Sequence, residues 1–229
     1  MGTIQKQGLI NTIIIYTGVT LGLVNRIIVQ PHFLSPAEMG LSALLINFSA
    51  LLTTFLLFGT SNMCVRYFPA FKNREKRHHG FLGFVLLFPL AGTIVGGFIF
   101  WLLGSWLLQQ YEIKSPLFTN YFDWTFPLAV VTTFATALNA YSNSLHKTTF
   151  PSFLNDIWLR IVLIAVAVAY GLSYISPQRL RLVILIQQLP QMIFLAVYIG
   201  IIDRHGLRVA WQFARSVGIP RMLSYTFLL

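Results

Sequence analysis

Charged residues are scarce in this chain, and their scarcity excludes most classes of soluble protein. Asp, Glu, Lys and Arg make up 10% of the 229 residues, whereas a soluble globular domain carries roughly a quarter. The single cysteine, Cys64, excludes an intramolecular disulfide and a Cys-rich metal site. We expect Cys64 to pack as a small apolar residue.

Motifs of the common enzyme classes are also missing. We find no Gly-rich loop that would cradle a phosphate, no nucleophile elbow and no His, Cys and Asp residues at metal-ligand spacing. The pair His78-His79 stands beside several cations, so we expect it in a solvated loop without a catalytic or metal-binding role. The sequence therefore predicts a protein that is not an enzyme and needs no cofactor.

Long hydrophobic runs are what the chain has in place of charge. Hydrophobic residues make up 56% of it, with a mean hydropathy of +0.70. About twenty helical residues cross the roughly 30 Å hydrocarbon core of a bilayer. Six stretches have this length, and we predict an all-α membrane protein with six transmembrane helices at 8–30, 40–63, 81–108, 122–144, 157–175 and 180–202.

The placement of the basic residues predicts how the chain is oriented. A net charge of +10 would suggest nucleic acid as the partner of a soluble protein, but here the cations lie in the connectors, so we expect membrane lipids and no nucleic acid. With a cytoplasmic amino terminus, eleven Lys and Arg residues fall inside and three fall outside. Cytoplasmic loops carry such an excess, so we predict a multi-pass protein of the bacterial inner membrane with its amino terminus in the cytoplasm.

The end of the chain differs from the six predicted spans. Residues 1–203 form the predicted six-helix lobe, and 204–218 alternate apolar and basic residues as a cytoplasmic amphipathic connector would. Residues 219–229 restart an apolar run that is too short to cross a bilayer. We interpret them as the start of a seventh helix of a longer protein; a carboxyl tail on the membrane surface is the alternative.

Polar residues inside the first predicted span form one stripe. Gly18, Gly22, Asn25 and Arg26 fall on one side of a helix. Small residues allow a neighbouring helix to approach closely, whereas a charge within a bilayer needs a partner or a water-filled cavity. The stripe is therefore either a packing interface or a cavity wall, and Arg26 favours the cavity unless it reaches the headgroups instead.

Three further spans carry polar groups. In the fifth, Asp156 and Arg160 are four residues apart and can pair along one face, or can cap and anchor the helix at the interface. The fourth has a stripe that includes Asn139 and Asn143. The sixth has glutamines around a proline, including Gln187 and Gln191. These uncharged groups fit either a transport cavity or hydrogen bonds between helices.

Two segments resemble a known family. The connector Pro31-His32-Phe33-Leu34-Ser35-Pro36-Ala37-Glu38-Met39-Gly40-Leu41 is similar to the link after the first helix of bacterial polysaccharide flippases. These are the O-antigen and lipid-linked oligosaccharide exporters of the MATE-like (MOP) superfamily. Asn62 to Pro69, followed by His78 to Gly83, resembles the end of their second helix and the start of the third. Leu138 to Phe153 is similar to their fourth inner loop.

The resemblance implies a fold and a function. Such flippases place two six-helix lobes around a central cavity and move a polyprenyl-pyrophosphate-linked glycan from the inner to the outer leaflet by alternating access. The chain would be the N-terminal lobe, with lipid-linked oligosaccharide as substrate and glycan assembly enzymes as partners. Candidate substrate-binding residues are Arg26, Arg160, Arg66 at the inner mouth, Asn25, Asn139, Asn143, Gln187 and Gln191.

Other functions remain open at the level of the sequence. A multidrug exporter of the same superfamily would need buried acids to bind organic cations, and the intramembrane charges here are mostly arginine. A membrane-embedded glycosyl- or acyltransferase would need an acidic or histidine constellation. A further alternative is a non-transporting scaffold of a polysaccharide synthesis complex.

Overall fold

The computed structural model describes residues 3–73, 77–112, 116–174 and 188–202, and this part of the chain is almost entirely helical. Helix α1 runs through 3–33, α2 is Pro36–Leu56, α3 is Thr60–Phe71 and α4 is Phe81–Glu112. Helix α5 is Thr125–Ser144, α6 runs through 149–171 and α7 is Leu189–Ile202. A turn at Pro116–Thr119 and a 3-10 turn at Phe122–Trp124 precede α5.

Four described helices are long and apolar enough to cross a membrane. They are α1, α2, α4 and α6, within Gln5–Phe33, Pro36–Leu56, His78–Gln109 and Thr149–Gly171. Helix α5 is less apolar and α7 has fewer than eighteen described residues. The structure therefore shows an all-helical chain with several candidate membrane spans, which is coarser than the predicted count of six. Gln187 and the segments 204–218 and 219–229 lie outside the described residues.

Side-chain contacts fix the directions of the helices. Ser49 and Thr53 of α2 donate hydrogen bonds to the carbonyls of Thr125 and Ala129 of α5, so these two helices run parallel. Ring contacts join Trp158 to Phe194 and Phe150 to Tyr198, so α6 and α7 run antiparallel. If α2 and α3 are counted together as one interrupted helix, successive long helices run in opposite directions.

Helix α5 lies at the centre of the bundle. It packs against α2, α3, α4 and α7, because Thr, Ala and Ser on its buried face let the neighbouring helices approach closely. Phe68, Phe71, Phe81 and Tyr141 form an aromatic core between α3, α4 and α5. Cys64 is fully buried in this core, as expected.

The second predicted span is interrupted. Residues 57–59 form a turn, in which Phe58 and Gly59 have φ of 48° and 66°. Helix α4 packs closely against this turn at Gly92. A Cβ added to Gly92 would lie only 2.1 Å from the Leu56 carbonyl oxygen, so a larger residue would clash there. The prediction of one continuous helix over 40–63 was therefore wrong. Apart from the single Gly59, nothing in this apolar run indicates a break.

Two predicted connectors are shorter than expected. Only Leu34 and Ser35 separate α1 from α2, and α6 begins at Thr149, earlier than the predicted 157. Proline is tolerated in the first turn of a helix, which explains Pro36 and Pro151. Pro31 lacks the N–H that would donate a helical hydrogen bond to the Ile27 carbonyl. The preceding turn, Asn25–Val29, is π-helical, and the Gln30 N–H donates to the Asn25 carbonyl.

The prediction that His78 lies in a solvated loop was wrong. His78 is 3% exposed, its ring centroid lies 5.4 Å from that of Phe68, and its Nδ1 accepts a hydrogen bond of 3.2 Å from the Asn73 N–H. Positive φ values at His78 and His79 turn the backbone so that the ring reaches the core.

Candidate functional site

Most of the described charged residues lie near the two ends of the bundle. Lys6, Arg66, Lys72 and Lys147 lie at the end where α1 and α6 begin, and we call this the basic end. Glu38 and Asp123 lie at the opposite end, where α2 and α5 begin, and we call this the acidic end. The predicted site residues that the structure describes lie between and at these ends, on five different helices.

Helices α1 and α6 run parallel and in close contact. Near the basic end, the Asn11 Nδ2 donates a hydrogen bond of 2.8 Å to the Thr148 Oγ1. Further along, a Cβ at Gly18 would lie 2.6 Å from the Asp156 carbonyl oxygen, and a Cβ at Gly22 would lie 1.9 Å from the Arg160 Nη1. The glycine stripe is therefore a packing interface, which was one of its two interpretations.

Arg160 occupies the space that Gly22 leaves open. Its Nε is buried and has no hydrogen-bond partner in the described part of the chain. The predicted pair with Asp156 is not formed, and within the described ranges no salt bridge joins the two side chains. Asp156 packs at Gly18 instead. A buried guanidinium N–H without an acceptor costs free energy, so this group is a candidate contact for an anion or a water.

Asn25 and Arg26 are neighbours with different surroundings. The Asn25 side chain is 5% exposed, and its Oδ1 has no partner among the described residues. Arg26 is exposed, and its Nη1 donates a hydrogen bond of 2.9 Å to the Oε1 of Gln30. No described acidic residue forms a salt bridge with Arg26. Among the described residues, Arg26 therefore has a neutral hydrogen-bond partner and no direct ion-pair partner.

Arg26 lines a cleft of about 100 Å³ at the acidic end. The end of α1, the start of α2 and the end of α6 form the cleft, and its walls are mostly apolar, with Leu41, Ile46 and Leu163 among them. Arg160 is not part of its lining. Since drug-sized ligands occupy roughly 300–1,000 Å³, the cleft admits only a small group. The structure thus does not place the two arginines in this cleft together.

Glu38 joins the start of α2 to the end of α6. Its Oε2 accepts hydrogen bonds from the Ser35 N–H and the Ser35 Oγ, both of 2.8 Å, and its Oε1 accepts one from the Tyr170 hydroxyl. Sequence analysis did not select Glu38, although Ser35-Pro36-Ala37-Glu38 fits the capping-box pattern. Nothing in the sequence indicated Tyr170 as a partner of Glu38, because the two residues are 132 positions apart.

A second polar contact joins α6 and α7. Gln191 is 4% exposed, its Nε2 donates a hydrogen bond to the Asn155 Oδ1, and its Oε1 has no described partner. The Trp158 Nε1 is also buried without a described partner. Gln191 therefore serves the helix interface through one of its polar atoms and leaves the other available.

The remaining predicted residues lie elsewhere. Arg66 is exposed on α3 at the basic end, and Asn139 is half-buried on α5. Asn143 is exposed and lines a second cleft, of about 290 Å³, between α3 and the α5–α6 connector. The candidate residues are thus distributed over the α1–α6 interface, the α6–α7 interface and the basic end, and their role in substrate binding stays a prediction.

The chain was compared with known proteins in three ways. No protein-family model matches it, and neither a curated protein nor a solved structure matches it.

Proposed function

We propose that this chain is a lobe of a membrane transporter that moves polyprenyl-pyrophosphate-linked oligosaccharide from the inner to the outer leaflet by alternating access. One observation carries the proposal. The parallel helices α1 and α6, both of membrane-spanning length, hold two arginines without an acidic partner in the described chain, and the buried Asn25 beside Arg26 has an unpartnered oxygen.

The chemistry of these groups favours an anionic, hydroxyl-rich substrate. Guanidinium groups form strong charge-assisted hydrogen bonds with phosphate oxygens. Amide groups such as those of Asn25 and Gln191 suit sugar hydroxyls, which both donate and accept hydrogen bonds. In lipid, an arginine is costly unless an anion or water compensates its charge. A pyrophosphate that carries a glycan supplies both kinds of partner.

The exposed surface of the two helices favours a membrane location and a second lobe. Large apolar side chains on α1 are exposed, among them Leu9, Ile13, Tyr16 and Ile27, at 58–71%. We propose that lipid covers part of this surface, and that a second lobe or a second copy covers the part beside Arg26. The basic end would face the cytoplasm, in keeping with the excess of cations in inner loops.

A multidrug exporter is less well supported. Its organic cations would need an available carboxylate within the membrane. The Glu38 carboxylate already accepts three hydrogen bonds, and it shares its cleft with Arg26, which would repel a cation. The carboxylate is therefore already engaged and is not available to bind an organic cation.

Flipping can be measured in vesicles that contain the full chain and a fluorescent pyrophosphate-linked lipid. Dithionite added outside destroys only the fluorophores in the outer leaflet. Flipping carries labelled lipid from the inner to the outer leaflet, so it increases the fraction of fluorescence that dithionite destroys. We expect Arg26→Ala and Arg160→Gln to reduce the rate at least tenfold, as loss of a charge-assisted contact would. Lys6→Ala removes an exposed cation of the basic end and is the matched control.

Two results would contradict the proposal. Wild-type rates in both arginine variants would remove α1 and α6 from the site. A wild-type chain that never flips the lipid, but restores surface glycan and assembles with glycan synthesis enzymes in cells, would favour the scaffold.

A further inference from the structure

The second cleft lies at the basic end, away from the α1–α6 interface. It is lined by α3, by Lys72 directly after it, by the end of α5 and by the connector that follows: Cys64, Val65, Phe68, Pro69, Lys72, Asn143, Ser144 and His146. Its volume is about 290 Å³, nearly three times that of the cleft beside Arg26. The proposed flipping mechanism does not need this cleft.

The lining of the cleft divides into an apolar and a polar part. Cys64 and Phe68 are buried and form an apolar floor, and Val65 beside them is 77% exposed. Lys72, Asn143 and His146 are exposed polar groups of the lining, and none of the described lining residues is acidic. An amphipathic ligand with an anionic head matches both parts.

The polar side of the cleft is held in a fixed conformation. His146 has φ of 58°, a left-handed value that is uncommon outside glycine. Its N–H bonds to the Asn143 carbonyl at 3.0 Å. The buried Ser142 holds the connector on both sides of Lys147, because it accepts from the Lys147 N–H at 3.1 Å through its carbonyl and donates to the Lys147 carbonyl at 2.8 Å through its Oγ. Such local strain persists where the surroundings enforce it.

We propose that this cleft binds the phosphate headgroup of an anionic membrane lipid in the leaflet at the basic end. The Lys72 ammonium and the Asn143 amide hold the phosphate, with His146 beside them, and an acyl chain follows Val65 and Pro69. The exposed Val65 places the cleft at the level where apolar surface meets headgroups, which favours a lipid over a soluble phosphate. Basic residues near a membrane surface attract such lipids.

Native mass spectrometry of the full chain in detergent tests the proposal. The chain is titrated with phosphatidylglycerol and with phosphatidylcholine. We expect the anionic lipid to bind more tightly, and Lys72→Gln to weaken its binding about fivefold, as one basic residue at a membrane surface would. Lys6→Gln removes the same charge from the same end outside the cleft and should change binding less than twofold.

A neutral variant separates the cleft from general surface charge. Asn143→Leu keeps every cation and fills the polar side, so phosphatidylglycerol binding should fall while the thermal unfolding midpoint stays unchanged. Equal effects of Lys72→Gln and Lys6→Gln, or equal affinity for both lipids, would overturn the proposal. Inorganic phosphate that displaces the lipid at equal concentration would show that the acyl chain contributes nothing, and would overturn the choice of a lipid.

Discussion

The core around α5 and the pair α1–α6 are built from the same apolar residue types but differ in how they pack. In its most apolar stretch, α4 has 33% of its residues buried, whereas α1 has 17% and α6 has 11%. Aromatic rings fill the space between α3, α4 and α5. Glycines, amides and an arginine fill the space between α1 and α6. Stability is therefore concentrated around α5, and the unpartnered polar chemistry lies at the α1–α6 and α6–α7 interfaces.

Truncation of a core aromatic should have the largest effect on stability. Phe81 is fully buried, and Phe81→Ala should lower the free energy of unfolding by about 3–5 kcal/mol. Phe55 is 69% exposed, so Phe55→Ala should cost less than about 0.5 kcal/mol. Unfolding in mixed micelles, followed by tryptophan fluorescence, measures both. Similar losses in the two variants would contradict the assignment of the core.

Close backbone contacts at the α2–α3 turn should produce the next largest effect. In Gly92→Ala the new Cβ would meet the Leu56 carbonyl oxygen, a backbone atom that cannot rotate away. We expect a loss of about 1–3 kcal/mol. Gly200→Ala is the control, because no atom of the described residues lies within 4 Å of its added Cβ. Equal unfolding midpoints of these two variants would show that α4 does not pack against the turn as described.

Two glycines of α1 separate packing from function. Gly18→Ala meets the Asp156 backbone and should destabilise the pair by about 1–3 kcal/mol. Gly22→Ala meets the end of the flexible Arg160 side chain, which can move away. We expect Gly22→Ala to unfold within about 0.5 kcal/mol of the wild type but to flip the pyrophosphate-linked lipid more slowly. An unchanged flipping rate would argue against a role for Arg160.

The polar contact at the basic end of this pair should contribute least. Asn11 and Thr148 form one hydrogen bond between helices, and such bonds in membrane proteins contribute about 0.6 kcal/mol on average. A double-mutant cycle of Asn11→Ala and Thr148→Val, measured by unfolding in micelles, gives the coupling energy. A coupling energy above about 2 kcal/mol would contradict this expectation. It would mean that a polar contact stabilises the α1–α6 pair about as much as aromatic packing stabilises the core.

Much of the fold could be predicted from the sequence, because apolar length is a local property. The predicted span 81–108 lies within α4, and 8–30 lies within α1. The boundaries at Pro36 and Pro151 were misplaced, since proline both ends and begins helices. The turn at Phe58 and Gly59 was missed because it depends on the approach of α4 at Gly92.

The candidate site was harder to predict, because it depends on which helices meet. Sequence analysis selected Arg26 and Arg160 from their charge, and selected Gly18 and Gly22 from their spacing. From the sequence, Arg160 could either pair with Asp156 or anchor the helix at the interface; in the structure its side chain packs on Gly22 of another helix. It did not foresee the contact of Glu38 with Tyr170 or that of Gln191 with Asn155, since each joins residues far apart in the chain.

The sequence by itself determined the class of protein, since the transfer of long apolar runs into lipid depends on composition and length alone. The tertiary structure decided which polar groups are satisfied. The Asn11 Nδ2 donates to Thr148, and the Tyr170 hydroxyl donates to Glu38. The Asn25 Oδ1 and the Arg160 Nε have no hydrogen-bond partner in the described chain. A hydrogen bond requires two groups within about 3 Å in the right orientation, and only the packing of helices distant in the chain sets that geometry.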